Sequence, residues 1–276
     1  MQNRNTEEQN FLQDYRMDAY ERPSVTADVA IFTIRSTEEE TYRHDPENHL
    51  SLLLIRRGEH PFKGCWALPG GFLRPDETIE ACAFREVTEE TNVAPAALMP
   101  VGLFSEVGRD PRGWIVSTLF TSVISEDSVK ERGGDDAEDA QWFDLSFREE
   151  ESGICSLRLQ NGDTLLEATL RRQGSAFGKT RFEIVEPGAI AFDHAKMIAA
   201  ALTALRSEAR NFDTIFDFLP EKFTLTALQR VQETITGIPI LPANFRRKIS
   251  EYVEETEEYT TGAGHRPAKL YRKKTK

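Results

Sequence analysis

Residues 71–93, GFLRPDETIEACAFREVTEETNV, decide the fold. Gly71 is followed after five residues by Glu77, and after seven more by Arg85-Glu86-Val87-Thr88-Glu89-Glu90. On a helix Glu86 and Glu90 stand one turn apart, and Glu89 lies three residues from Glu86, so the carboxylates crowd one edge. Like charges at that spacing repel. A divalent cation relieves them, because hard cations take oxygen ligands, and Mg²⁺ in particular shares itself with substrate phosphates. Ile79, Cys82, Ala83 and Val87 form an apolar stripe at helical spacing, which turns Glu86 and Glu90 toward a cleft. Leu68-Pro69-Gly70-Gly71 reads as a strand running into a turn, with Pro75 and Asp76 opening the helix and Asp76 as its N-cap.

The spacing resembles the Nudix box: Gly, five residues, Glu, seven residues, Arg-Glu-aliphatic, one residue, Glu-Glu, one residue, Gly, aliphatic. Every position matches but one, since Asn92 stands where the family has Gly. That position lies just past the helix end in the left-handed region, where Asn is the next-best residue. The resemblance implies that Glu86, Glu89 and Glu90 hold Mg²⁺ or Mn²⁺ with help from the Gly70 carbonyl. It also implies that Glu89 and Glu86 belong to the catalytic machinery, and that Arg85 and Glu77 pair to orient the box rather than forming an ordinary surface ion pair.

The 276 residues are enough for two domains, and the net charge is −12. The charge is uneven: Arg210 to Lys276 holds 12 Lys and Arg against 9 Asp and Glu, whereas the residues before it hold 22 against 37. A reversal of that kind suggests two units with different partners. Cys65, Cys82 and Cys155 are odd in number and none sits at metal-ligand spacing, the pattern of a reduced, cytoplasmic chain. The N-terminus is polar without an apolar core, so it is no signal peptide, and no run reaches membrane-spanning length.

Residues 1–22 read as a polar, partly helical tail. Strands are expected at 25–34, 50–57, 99–106, 115–124 and 140–145. The second is apolar enough to be buried on both faces. Residues 147–188 read as a β insertion, with a hairpin turning at Asn161-Gly162-Asp163 and a third strand at 181–185. It either caps a pocket or meets a second copy. A helix follows from 194 to about 208, with Asp193 as N-cap and His194 more suited to packing or capping than to ligation.

Gly108-Arg109-Asp110-Pro111-Arg112-Gly113-Trp114 is a turn with two arginines beside an aromatic. Guanidinium forks recognise phosphate and stack on rings, although a solvated basic turn has the same composition. The segment resembles the Asp-Pro-Arg-Gly turn of Nudix proteins that handle ADP-ribose, which implies ligand contact by Arg109 or Arg112, with Glu106 in the same cleft. The acidic run 131–138 offers Asp135, Asp136 and Glu138 as a further metal ligand or base, against the simpler reading of a solvated loop.

Residues 210–276 have a grammar of their own. A short helix at 212–218 precedes a second from about 227 to 236, with Thr226 as N-cap and Gly237 as the stop. A third runs from 243 to about 253, with Phe245, Ile249 and Tyr252 buried. Gly262–Arg266 then turns a hairpin. Helix, helix, basic helix and hairpin is the order of a winged helix-turn-helix, whose second motif helix enters the DNA major groove by its N-terminal residues. Asn244, Arg246 and Arg247 would read base edges there, while Lys248, Arg266 and Lys269 would meet phosphates.

These segments, with Phe223-Thr224-Leu225-Thr226 and Ala191-Phe192-Asp193-His194, resemble the Nudix-related transcriptional regulators of NAD metabolism. The resemblance implies an α+β chain: a tail over 1–22, a Nudix α/β/α sandwich over 23–209 with a β insertion, and a winged-helix DNA-binding domain over 210–276. It implies a nucleotide-sugar or ADP-ribose-like ligand and double-stranded DNA as partner; the lack of a membrane-length run argues for no membrane, and winged-helix readers of palindromes are commonly dimers, so a homodimer is expected. Two functions remain open: a Mg²⁺-dependent hydrolase of a nucleoside diphosphate linked to another moiety, and a sensor whose pocket only binds.

Overall fold

The computed structural model describes residues 2–36, 48–125, 140–176, 179–260 and 267–274. The acidic run 131–138, with Asp135, Asp136 and Glu138, lies outside the described residues, as do Arg266 and the turn that carries it.

The chain opens with helix α1 (Gln2–Asp14) where a partly helical tail was expected. Strands β1 (Ser24–Ser36), β2 (Asn48–Arg56), β3 (Trp66–Ala67) and β4 (Gly70–Phe72) lead into helix α2 (Ile79–Thr91). Then come β5 (Met99–Phe104), β6 (Ile115–Val123), β7 (Ala140–Glu149), β8 (Ile154–Asn161), β9 (Thr164–Ala176) and β10 (Lys179–Glu186). Among the described residues these ten strands form one sheet in the order β10-β9-β8-β7-β2-β1-β6-β5, with β3 paired to β2 and β4 to β1. β1 and β6 run parallel, so one crossover joins them, whereas the other pairs named are antiparallel.

The period of two along a strand sorts the core into layers. Ala27, Val29 and Ile31 of β1 with Leu53 and Ile55 of β2 pack against Cys82, Ala83 and Val87 of α2. The alternate residues Ala30, Phe32, Ile34, Leu50, Leu52 and Leu54 face the other side, where helix α3 (His194–Glu208) lies with Ala195, Met197, Ile198, Ala201 and Leu202 buried. β1 and β2 are therefore apolar on both faces, and the result is a helix–sheet–helix sandwich.

The segment read as an insertion continues the sheet edge. Cys155, Leu157, Leu159, Leu166, Ala168, Leu170 and Phe182 join the α3-side core, so the hairpin supports α3. None of its described residues lines the cleft described below.

Beyond α3 come α4 (Phe212–Ile215), a 3₁₀ turn at Phe216–Phe218, α5 (Leu225–Thr236), α6 (Pro242–Ile249) and the hairpin β11 (Val253–Tyr259) with β12 (Lys269–Lys273). Leu228, Val231, Ile235, Phe245 and Ile249 are buried in the same apolar cluster as α3. The third helix ends earlier than the sequence suggests, because Val253 already enters β11. The cap at the start of α5 is Thr224, whose hydroxyl accepts from the Ala227 amide at 3.1 Å, in place of Thr226. Gly237 closes α5 in the left-handed region.

Candidate functional site

Helix α2 is placed by its ends. Thr78 caps it, accepting from the Ala81 amide at 3.2 Å, and Asn92 ends it with φ 56°, the left-handed residue expected there. Asp76 is not the cap, because the turn before Thr78 is fixed by Glu77. One Glu77 oxygen accepts from the Arg74 amide at 2.8 Å, and both oxygens receive the Arg85 fork at 2.9 and 2.6 Å. The guanidinium lowers the Glu77 carboxyl to a pKa of about 2. Arg85 and Glu77 are thus the brace that holds the loop 71–78 on α2. Arg85 also bonds Glu86 at 2.5 Å and approaches Glu89 at 3.4 Å.

The three box carboxylates sit in different surroundings. Glu89 is 53% exposed. Glu86 lies over Gly71, where an added Cβ would meet its carboxylate at 2.4–2.5 Å and displace it, so glycine keeps the carboxylate in this position. Glu90 is half-buried and accepts from the Gly70 amide at 2.8 Å. Burial raises its pKa to about 7, with Glu86 and Asp28 pushing the same way. An all-oxygen set, one member of which is burdened by its own charge, fits a hard divalent cation in kind. As the side chains stand, no three potential ligands among the described residues converge on one point.

The period of β1 explains the next residue. Asp28 falls on the α3-facing set with Ala30 and is paired in register with Gly70 of β4. Its carboxylate accepts from Ser117, and its other oxygen lies 3.7 Å from Nε2 of His194. His194 Nδ1 accepts from the Leu68 amide at 2.9 Å, so the proton is on Nε2 and faces Asp28. Burial lowers the His194 pKa and keeps the ring neutral. His194 is a packing and positioning residue, as its place at a helix start suggested.

These groups border a cleft of about 120 Å³ lined by Asp28, Arg57, Gly70, Gly71, Phe72, Arg109, Arg112 and Phe192 among others. Arg109 and Arg112 both line it, but each is already engaged. Arg109 is buried and forks onto Asp193 at 3.0 and 2.7 Å. That contact takes the Asp193 carboxylate away from capping α3. Arg112 bonds Asp110 at 2.7 Å and lies over the rings of Phe72 and Phe192 at 5.0 and 5.2 Å. Glu106 stands apart from the lining, paired with the buried Lys196. Sequence reasoning missed Asp28, Arg57, Phe72 and Phe192. A carboxylate inside the apolar run VTADVAIF was the available signal for Asp28.

The start of α3 is bound to the cleft through Asp193 and His194, and its end is bound to the helical unit. Arg206 Nε donates to the Ile235 carbonyl at 3.1 Å, and Gln232 donates to the Ala209 carbonyl at 3.0 Å. On α6, Phe245 and Ile249 turn inward, leaving Asn244, Arg246, Arg247 and Lys248 exposed. These three cations have no ion pair with any described residue. The wing differs: Lys269 pairs with Glu255 at 2.5 Å, Arg272 with Glu254, and Lys222 with Glu258 at 2.6 Å. The strand VEETEEY neutralises its own hairpin.

Two family descriptions match the chain: NUDIX domain over residues 30–147, and NrtR DNA-binding winged helix domain over 215–272. The chain is 31% identical over 269 residues to the ADPR responsive transcriptional repressor NtrR of Acinetobacter baylyi, covering 96% of this chain and 88% of that one. It is 43% identical over 100 residues to the ADP-ribose pyrophosphatase of Methanocaldococcus jannaschii, covering 36% of this chain and 58% of that one. A solved structure of Shewanella oneidensis NrtR complexed with a 27mer DNA superposes with TM-score 0.62 at 26% identity, over 91% of this chain and 93% of that one.

Proposed function

This chain belongs to the NrtR family, a Nudix domain fused to a winged-helix DNA-binding domain, and from that premise we propose that it is a cytoplasmic, dimeric regulator whose Nudix cleft binds ADP-ribose with Mg²⁺ and hydrolyses it. The observation that carries the reading is the cleft itself. Asp28 and the guanidiniums of Arg57, Arg109 and Arg112 line it with Phe72 and Phe192, and two box carboxylates adjoin its Gly70-Gly71 edge, Glu90 bonded to the Gly70 amide and Glu86 against Gly71. That is the chemistry a nucleoside diphosphate needs. The A. baylyi relative, responsive to ADPR by its name, and the M. jannaschii pyrophosphatase support the choice of ligand.

Nudix hydrolases generally use divalent metal ions. Glu86, Glu89 and Glu90 would hold the ion here, with the Gly70 carbonyl, and the ion would polarise the phosphoanhydride and acidify water. The protein's own contribution is placement. Arg85 and Glu77 fix α2, Gly71 leaves space for Glu86, and Phe72 and Phe192 wall the cleft.

DNA binding falls to α6. Arg246, Arg247 and Lys248 keep their charge available, and Asn244 lies on the same exposed side. Lys269 contributes less in this reading, because Glu255 already pairs with it.

The test is incubation of the purified chain with ADP-ribose and Mg²⁺, with AMP release followed for wild type, Glu89→Gln and Glu90→Gln. Release by wild type and loss in both variants is the expected result. A second reading, binding without hydrolysis, is favoured by the present bonds of Glu86 to Arg85 and of Glu90 to Gly70. It predicts saturable ADP-ribose binding with no AMP. Absence of both binding and AMP release removes the ligand assignment.

A further inference from the structure

Three guanidiniums line the cleft, and the protein neutralises only two of them. Arg109 is matched by Asp193 and Arg112 by Asp110, each through two nitrogens. Arg57 is different. Its Nε donates to the Pro61 carbonyl at 2.8 Å, and its guanidinium lies 4.8 Å from the centre of the Phe192 ring. No described carboxylate comes within ion-pair distance of it, and its two terminal nitrogens donate to no described residue. It is half-buried, and burial together with the neighbouring Arg112 lowers its pKa, so the charge is held in the cleft at a cost. A half-buried cation is normally matched by an anion.

The Arg57 side chain adds one bond to its turn, through Nε to Pro61, and its two terminal nitrogens add none. The 57–65 turn is closed by main-chain bonds, from the Arg57 amide to the Cys65 carbonyl at 2.9 Å and from the Gly64 amide to the Arg57 carbonyl at 2.8 Å. The guanidinium instead shares the cleft with Asp110 and Asp28, whose charges reach it, as does that of Glu90 beside the cleft, but none of the three forms an ion pair with it. An anion there would meet Arg57, and a divalent cation, if held by the α2 carboxylates, would supply further positive charge to it.

Resting on the ADP-ribose reading above, we infer that Arg57 is the cleft's anion-binding residue, and that its unoccupied nitrogens grip a phosphoryl group of a nucleoside diphosphate. Arg109 and Arg112 take the supporting part, as braces of the wall. The assignment inverts the order suggested by sequence, in which the turn 108–114 supplied the phosphate contacts. Planar, bidentate recognition of a phosphoryl group is what a guanidinium with two free nitrogens does best.

The test is calorimetric titration of the full chain with Mg²⁺, using ADP-ribose, in its non-hydrolysable methylene-bridged form, and adenosine as probes. Arg57→Gln keeps a donor for Pro61 but loses the charge, and Arg57→Lys keeps the charge but loses the fork. ADP-ribose affinity is expected to fall about 10- to 100-fold in Arg57→Gln and less in Arg57→Lys, while adenosine changes by under about twofold. Equal losses for both probes, or no loss for ADP-ribose, overturn the inference, since a residue that only shapes the cleft would act on either probe alike. If the unsubstituted protein ignores ADP-ribose, the functional reading falls separately. Inorganic pyrophosphate with Mg²⁺ then decides: a thermal shift that Arg57→Gln abolishes upholds the anion site, and a shift that is absent or insensitive to the substitution refutes it.

Discussion

Replacing Glu90 by Gln should stabilise the metal-free protein at neutral pH. Glu90 is half-buried on α2 beside Glu86 and Asp28, and burial raises its carboxyl from 4.5 to about 7. A carboxyl with a raised folded value favours the folded state while it is protonated. Its contribution is complete below about pH 4.5, shrinks as the pH climbs, and has gone above about pH 7. At 1.36 kcal/mol per unit the full gap sets a ceiling of about 3.4 kcal/mol. The bond from the Gly70 amide is already inside that value, and partial exposure of the side chain lets water relieve some of the charge. About 2 kcal/mol is therefore the reasonable order of magnitude, or roughly 4–8 °C in melting temperature for a domain of this size. Gln keeps the acceptor for Gly70 and discards the charge. Thermal melts in chelator at pH 5 and pH 8 read the effect. Wild type loses stability between the two, whereas Glu90→Gln loses less and melts higher at pH 8. If the variant melts at or below wild type at pH 8 in chelator, the electrostatic account of α2 is wrong.

Four other outcomes follow from the geometry. Asp193→Ala strands the buried Arg109 charge and costs about 3–5 kcal/mol in urea unfolding, while adding Arg109→Gln recovers part of the loss in a double-mutant cycle. Gly188→Ala is severe, because its φ is +61° and a Cβ would lie 1.9 Å from the Glu167 carbonyl oxygen. Since that neighbour is backbone of β9, roughly 3 kcal/mol or more is lost, visible as a lower urea midpoint. For DNA, Arg246→Ala with Arg247→Ala weakens binding to the chain's own upstream region by about 1–3 kcal/mol per base contact and flattens the salt dependence, read by fluorescence anisotropy at several salt concentrations. Lys269→Ala, already neutralised by Glu255, leaves both nearly unchanged.

What the sequence disclosed was local chemistry with a fixed spacing. Glu77, Arg85 and Asn92 could be assigned because a helix converts their intervals directly into neighbours or into an end. The strands β1, β2 and β6 could be read because their apolar runs answer to one period. Helix caps were harder. Asp76 and Asp193 both had the right composition for a cap, but Thr78 took over from the first, and a salt bridge to a residue 84 positions away drew off the second. The same cause hid the balance of the cleft. Arg109 and Arg112 advertised themselves beside Pro, Gly and Trp, yet their counter-ions Asp193 and Asp110 are fixed by tertiary geometry and by a two-residue turn that composition does not reveal. Arg57 follows an ordinary apolar strand and carries no signal of its own. It becomes conspicuous only when the other two guanidiniums of the cleft have been matched and its own is left over, and that subtraction requires three dimensions.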